Sequence, residues 1–278
     1  MVKTGRMDTE PLPRLPLIAR DYAFRLGTPS YVYPAGVLPN VSALAGRVDD
    51  IELVLFESDN GANMPSDRDL TQLAELAAAH DLTYTVHLPL DRQLGAADST
   101  AGREACAEFA HVIRRTLPLR PRMYVMHLEG IASAAAPADV AAWRERVAVW
   151  LPELIVAAGG PDRLCVENLS WPFAWCEALL ARYDLGVCLD TGHLELQGGN
   201  LADFWRRYGA RVRIVHWHGV RAGRDHQSLR CLPLDRVGEL LDLWRNFRGV
   251  VTLEIFNFNA MAESFKVLEQ CRQFRIKS

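Results

Sequence analysis

The feature that most constrains this chain is an alternation repeated eight times, in which a short apolar run is followed by a longer segment of helical periodicity. The apolar runs are residues 24–28, 51–57, 83–88, 122–128, 163–168, 185–190, 212–218 and 250–255. Each is nearly continuous in apolar residues, as expected of parallel strands covered on both faces. The helical segments follow near 38–46, 66–80, 98–117, 137–158, 173–182, 200–208, 235–246 and 259–276. Ser66 with Asp69 three residues on is close to a capping box, and Asn200 and Asp235 stand where N-caps belong. Pro152 is expected to kink or split the fourth helix. Eight strand–helix pairs predict a single-domain α/β fold, a (β/α)8 TIM barrel over residues 23–278, with a doubly wound open sheet as the alternative. Residues 1–22, with Pro11, Pro13 and Pro16 among charges, read as an extended N-terminal arm.

Composition narrows the partners. The 278 residues are 49% hydrophobic and 23% charged, enough apolar material for a large core. The net charge of -3 supplies no broad basic excess for a nucleic-acid backbone, so a small-molecule substrate is expected and nucleic acid is not. No run approaches the ~18 apolar residues that a membrane span needs, and no signal-peptide pattern opens the chain. The six cysteines, Cys106, Cys165, Cys176, Cys188, Cys231 and Cys271, contain no CxxC pair and read as reduced structural thiols. Together these readings predict a cytoplasmic protein.

The polar residues are not scattered. Of the eight histidines, His80 closes the second helical segment and His111 lies inside the third. The other six, His87, His127, His193, His216, His218 and His226, fall at strand ends or in the loop after a strand. Glu57, Glu167, Asp190 and Glu254 each end an apolar run. A carboxylate beside a core strand is costly to bury unless it is paired or bound to metal. In a barrel the strand C-terminal ends open onto one face, so side chains distant in sequence meet there. Imidazoles mixed with carboxylates suit Zn, Mn, Fe or Co. A carboxylate can also bridge two ions ~3.5–4 Å apart, a common device for phosphoester cleavage. The candidate ligands exceed the needs of one ion. The excess favours two or three divalent ions, zinc first among them, unless some of these residues serve as bases or substrate contacts.

This pattern resembles the xylose-isomerase-like barrel superfamily, which holds sugar isomerases and epimerases together with endonuclease IV, over about residues 23 to 276. The shared core of that superfamily is an acid after the fifth strand, an acid after the sixth, a histidine after the seventh and an acid after the eighth, matched by Glu167, Asp190, His216 and Glu254. The endonuclease-like branch adds histidines on the third and fourth strands, matched by His87 and His127. It also has a Glu-Asn step, matched by Glu167-Asn168, and an Asp-x-x-His step, matched by Asp190-Thr191-Gly192-His193. The branch's Asp-x-His pair after the seventh strand is matched only in part: His226 fits, but Arg224 stands where the aspartate belongs. The resemblance then implies a third ion only if Asp225 adjusts or His218 helps.

A longer stretch, Leu26-Gly27-Thr28-Pro29-Ser30-Tyr31, Pro34, Leu38-Pro39-Asn40-Val41 and Val48 through Glu57, resembles the cobamide-remodelling phosphodiesterases of the same superfamily. That resemblance implies metal-dependent hydrolysis of the nucleotide-loop phosphoester of a cobamide, a cobalamin-type corrinoid, to cobinamide phosphate and an α-riboside. Under it, His87, His127 and Glu167 hold one ion. Asp190, His216 and Glu254 hold another, with Glu167 available to both. His193 and His226 remain for a third ion or for the phosphate. Glu167 and Glu254 are the catalytic candidates. Glu57, Tyr31, Trp171, His218 and Arg224 are the substrate-binding candidates, with Tyr33, Phe173 and Trp217 as further aromatic cover for a flat macrocycle. Glu57 can alternatively pair with Arg25. The competing reading is a sugar or sugar-phosphate isomerase or epimerase with one divalent ion, in which Glu167 and Glu254 flank a ketose for proton transfer. Abasic-site DNA repair would need dense basic loops. A non-enzymatic metal or corrinoid carrier would need a closed metal shell.

Overall fold

The computed structural model describes residues 12–18, 20–55 and 64–277, without the side chains beyond 272. Eight parallel strands close into a barrel: β1 (Arg25–Pro29), β2 (Asp50–Val54), β3 (Thr83–His87), β4 (Tyr124–Met126), β5 (Leu164–Glu167), β6 (Gly186–Asp190), β7 (Val212–Trp217) and β10 (Val250–Leu253). Sequential neighbours pair from β1 to β7, and β10 closes the ring between β7 and β1. The expected open-sheet alternative is thereby excluded. The end of the expected second run, Phe56 and Glu57, lies outside the described residues. An antiparallel hairpin, β8 (Gly219–Arg221) and β9 (Arg224–Gln227), stands above β7 and has no counterpart in the sequence reading.

The outer helices are α1 (Val37–Leu44), α2 (Asp67–His80), α3 (Ser99–Thr116), α4 (Pro137–Ala158), α5 (Glu177–Tyr183), α6 (Thr191–Leu196), α7 (Leu201–Tyr208), α8 (Leu234–Leu243) and α9 (Phe258–Lys277). The capping box at Ser66 and the cap at Asn200 form. Helix α8 instead starts one residue before Asp235, with Pro233 at its cap and Asp235 in the first turn. Pro152 does not split α4, which runs unbroken past it with Leu151 and Leu154 buried on either side. The short α6 was not anticipated and follows β6 directly. Among the described residues, no helix is long and apolar enough to cross a membrane.

Strand parity sorts the core into two parts. Outward-facing residues such as Ile51, Leu53, Tyr84, Val86 and Val166 meet the helices in one large apolar cluster. Inward-facing Val125, Cys165, Cys188, Ile214 and Val250 form a separate small plug inside the barrel. The barrel is therefore filled rather than hollow, as in other closed eight-stranded sheets. Other inward positions are polar: Asp50, Glu52, Thr85, His87, Glu167, Asp190, His216, Thr252 and Glu254 are all buried. None of the six cysteines is in a disulfide. The described part of the N-terminal segment has no helix or strand, but it docks on the barrel. Leu15 and Ile18 are buried, and the Arg20 amide donates to Asp49 Oδ1 at 2.8 Å.

Candidate metal centre

Strand ends and the segments just beyond them deliver the site. Glu167 ends β5 and Asp190 ends β6, and the side chain of Asn168 ties the two strand ends together. Its amide donates to the Asp190 carbonyl at 2.9 Å, and its carbonyl oxygen accepts the Asp190 amide at 2.7 Å. The Asp-x-x-His step is a helix cap: Asp190 Oδ1 accepts the His193 amide at 2.7 Å, so the cap that starts α6 also swings the His193 ring over the barrel mouth.

Among the described residues the donor atoms gather in five overlapping groups, of which two bring in Cys188 (with Glu167 and His216) and His218 (with His226 and Glu254), and the other three adjoin one another. Of these three, His87, His127 and Glu167 form the first; Glu167, Asp190, His216 and Glu254 the second; and His193, Asp225 and His226 the third. Glu167 belongs to two of them. Its Oε2 lies 3.2 Å from His87 Nε2, 3.1 Å from His127 Nε2 and 3.6 Å from His216 Nδ1. Its Oε1 lies 3.2 Å from His193 Nδ1. Glu254 Oε2 lies 3.2 Å from His216 Nδ1. In the third group Asp225 Oδ2 is 3.6 Å from His193 Nε2 and 3.9 Å from His226 Nε2.

Hydrogen bonds define which ring nitrogen is available. His87 Nδ1–H donates to the Leu88 carbonyl at 2.9 Å, leaving a lone pair on Nε2. His226 Nδ1–H donates to the Glu254 carbonyl at 3.0 Å, and His193 Nδ1–H to the Asn168 carbonyl at 3.1 Å. His216 is reversed: Nε2–H donates to Glu52 Oε2 at 2.9 Å and Nδ1 faces the acids. His87 Nε2 and His216 Nδ1 thus point lone pairs at carboxylate oxygens ~3 Å away. Two acceptors at that distance repel unless a cation lies between them. Ligands about 2.0–2.2 Å from a tetrahedral ion stand about 3.3 Å apart, which is the spacing seen here. His216 Nδ1 and Glu254 Oε2 are also buried without a hydrogen-bond partner. The residues therefore fit divalent ions.

Without a cation, protons take up that role. Burial drags the His193 imidazole down, but Glu167 and Asp190 outweigh it and raise it to about 10. Burial likewise opposes protonation of His216, and surrounding anionic groups, Glu254, Glu52 and Glu167 among them, push it well above its ordinary value. In turn, burial pushes Glu167 up, but His216 and His127 hold its carboxyl well below the usual carboxylate range.

The remaining expected residues fall in varied places. Tyr31 is 52% exposed just past the end of β1. Of the other aromatics expected to cover a substrate, Trp171, Tyr33, Phe173 and Trp217 are buried, which corrects that expectation. Trp171 packs edge-on against Trp143, Phe173 against Tyr208 and Trp217 against Trp244, while Tyr33 stacks on Phe258. They fill the space between strand tops and helices and do not face the mouth. His218, expected on substrate, is buried too. Its Nδ1 accepts the His226 amide at 2.9 Å, and its Nε2–H donates to Asp190 Oδ2 at 3.0 Å, so it steadies a candidate ligand. Arg224 is exposed on β9, and Asp225 beside it enters the third group instead. Glu57 lies outside the described residues, and its alternative partner Arg25 is engaged at the barrel base by the Asp49 carbonyl at 2.8 and 3.0 Å.

Two contributors escaped the sequence reading. Glu52 sits inside an apolar run, and the only signal was its period-two spacing from Asp50. Gly192 is the other. A Cβ there would meet His218 Cε1 at 2.0 Å, so the glycine makes room for the ring that braces Asp190. Gly192→Ala is expected to destabilise the fold by about 1–3 kcal/mol through overpacking and to lower metal uptake. Thermal denaturation with metal analysis checks this; a wild-type melting temperature with full uptake contradicts it.

Comparisons with known proteins bear on the fold and the family. No curated protein sequence matches the chain. Among solved structures, a D-tagatose 3-epimerase-like protein is similar with a TM-score of 0.70 at 19% identity, covering 90% of this chain and 98% of that one. Endonuclease IV from Thermus thermophilus is similar with a TM-score of 0.64 at 20% identity, covering 91% and 100%. The IOLI protein with a binding zinc atom has a TM-score of 0.68 at 16% identity, covering 90% and 96%. At these identities the likeness is one of fold. The family model for the xylose isomerase-like TIM barrel matches residues 42–271, and the chain belongs to that family.

Proposed function

We propose that the protein is a divalent-metal-dependent phosphodiester hydrolase. The observation that carries this reading is the run of three adjoining donor groups with Glu167 common to two of them. An isomerase with one ion needs a single group, whereas phosphoester cleavage commonly uses paired ions. Endonuclease IV among the similar structures is in keeping with it, and the zinc atom of the IOLI protein with metal binding alone. Bound ions would supply a water of lowered pKa and positive charge against the phosphoryl oxygens.

The chain's own residues do the positioning. His87, His127 and Glu167 would hold one ion, Glu167, Asp190, His216 and Glu254 a second, and His193, Asp225 and His226 a third. Backbone carbonyls fix the rings of His87, His193 and His226, so their other nitrogens stay aimed inward. The substrate proposed is the nucleotide loop of a cobamide, on the strength of the Leu26–Tyr31 and Val48–Glu57 resemblance and of exposed Tyr31, whose ring offers a stacking face at the end of β1. A net charge of -3 favours a bulky, nearly neutral corrinoid over DNA.

A second reading, a sugar epimerase using Glu167 and Glu254 for proton transfer, is favoured by the likeness to the D-tagatose 3-epimerase-like protein. One experiment separates the two. Metal-loaded protein incubated with a cobamide in ¹⁸O-labelled water is expected to release a phosphomonoester carrying the label, with two or three ions per chain. A single ion, no phosphate product and turnover of a ketose would overturn the hydrolase.

A further inference from the structure

We infer that Glu52 is a positioning residue for the metal centre, setting which nitrogen of His216 is presented to the ion. Glu52 lies on β2, a strand that supplies none of the candidate ligands described above, and its side chain and that of His216 are both fully buried. Glu52 Oε2 stands 2.9 Å from His216 Nε2. Its other oxygen, Oε1, is buried with no hydrogen-bond partner. The hydrogen bond His216 donates is thus what compensates this carboxylate for the loss of water, and removing it would leave a costly unpaired charge.

The consequence falls on the far side of the ring. A neutral imidazole carries one N–H, and a carboxylate at Nε2 claims it. Nδ1 is then obliged to offer a lone pair toward Glu254 at 3.2 Å, Glu167 at 3.6 Å and Asp190 at 3.9 Å, the three acids of the second donor group. The opposite tautomer would turn an N–H on those acids, satisfy Glu254 and close the place of an ion. Three other candidate ligand rings, His87, His193 and His226, use backbone carbonyls for this purpose. His216 relies instead on a charged side chain, so the basicity of this ligand can be changed by one substitution at Glu52.

The inference rests on the metal-binding reading of the site, not on the substrate. The test is zinc binding to the full chain by competition with a chromophoric chelator, with ¹⁵N-resolved NMR of the histidine rings. In the zinc-loaded wild type, His216 is expected to show the Nε2-protonated pattern with a strongly downfield, slowly exchanging N–H. Glu52→Leu is expected to lose that signal and to weaken zinc at one site by roughly tenfold to a hundredfold, leaving the His87 and His226 patterns unchanged. Glu52→Gln keeps an acceptor but not the charge, and is expected to retain the tautomer with intermediate affinity. That graded rescue would not arise from a merely structural role. Wild-type affinity and an unchanged His216 signal in Glu52→Leu overturn the inference. If Glu52→Leu does not fold, wild-type affinity and N–H shift in Glu52→Gln do so instead. Failure of the wild type to take up zinc overturns the metal reading itself, and this inference with it.

Discussion

Replacing Glu167 with glutamine is expected to remove at least one ion per chain and to lower turnover by roughly a hundredfold or more, while the barrel stays folded. One carboxylate here faces four imidazoles, those of His87, His127, His193 and His216, at 3.1–3.6 Å. These rings come from β3, the residue just past β4, α6 and β7, and Glu167 is where they meet. Burial raises its pKa, but the imidazoles of His216 and His127 outweigh burial and keep it ionised. A glutamine amide matches its shape and offers one neutral oxygen and one N–H2 donor, which repels a cation. Circular dichroism is expected to match the wild type. Metal analysis of the purified variant decides the matter, and full metal content with wild-type turnover rules the assignment out.

Asp50→Asn is expected to stabilise the protein, and by more at pH 8 than at pH 4.5. Asp50 is fully buried on the inner face of β2, and the Thr83 and Thr85 hydroxyls donate to it at 2.5 and 2.8 Å. Burial raises its pKa to about 7; the two threonine hydrogen bonds oppose the rise only in part. For a carboxyl raised on folding, the favourable contribution is complete below the unfolded value near 3.8. It is lost as pH climbs toward 7. Above pH 7 the native state therefore carries an ionised buried acid at a cost of about 4 kcal/mol, from ~3 pKa units at 1.36 kcal/mol each. Asparagine removes the charge while its oxygen still accepts from one threonine and its amide donates to the other. Urea unfolding across pH 4.5–8 is expected to show a gain that grows with pH and levels off above 7. An equal gain at both ends, or a loss at pH 8, contradicts the account.

Much of this was written in the order of residues. Parallel strands covered on both faces must be short and apolar, so eight such runs announced a barrel, and seven of their observed starts fall within one residue of the runs. The acids and histidines that close those runs were legible for the same reason: a polar residue at the end of a buried strand has only the barrel mouth to go to. Facing and convergence were not legible. Glu52 meets His216 across 164 residues, a contact that exists only once β10 has closed the ring and brought β2 opposite β7. Trp217 lies between two inward histidines, and strand parity alone turned it outward onto Trp244. Asp225 rather than residue 224 joins the third donor group. The left-handed backbone at His226 (φ 51°) breaks the alternation of β9, so neighbouring residues can face the same cluster. Local sequence determined which side chains would stand at the mouth; closure of the barrel and one hairpin's backbone decided which of them touch.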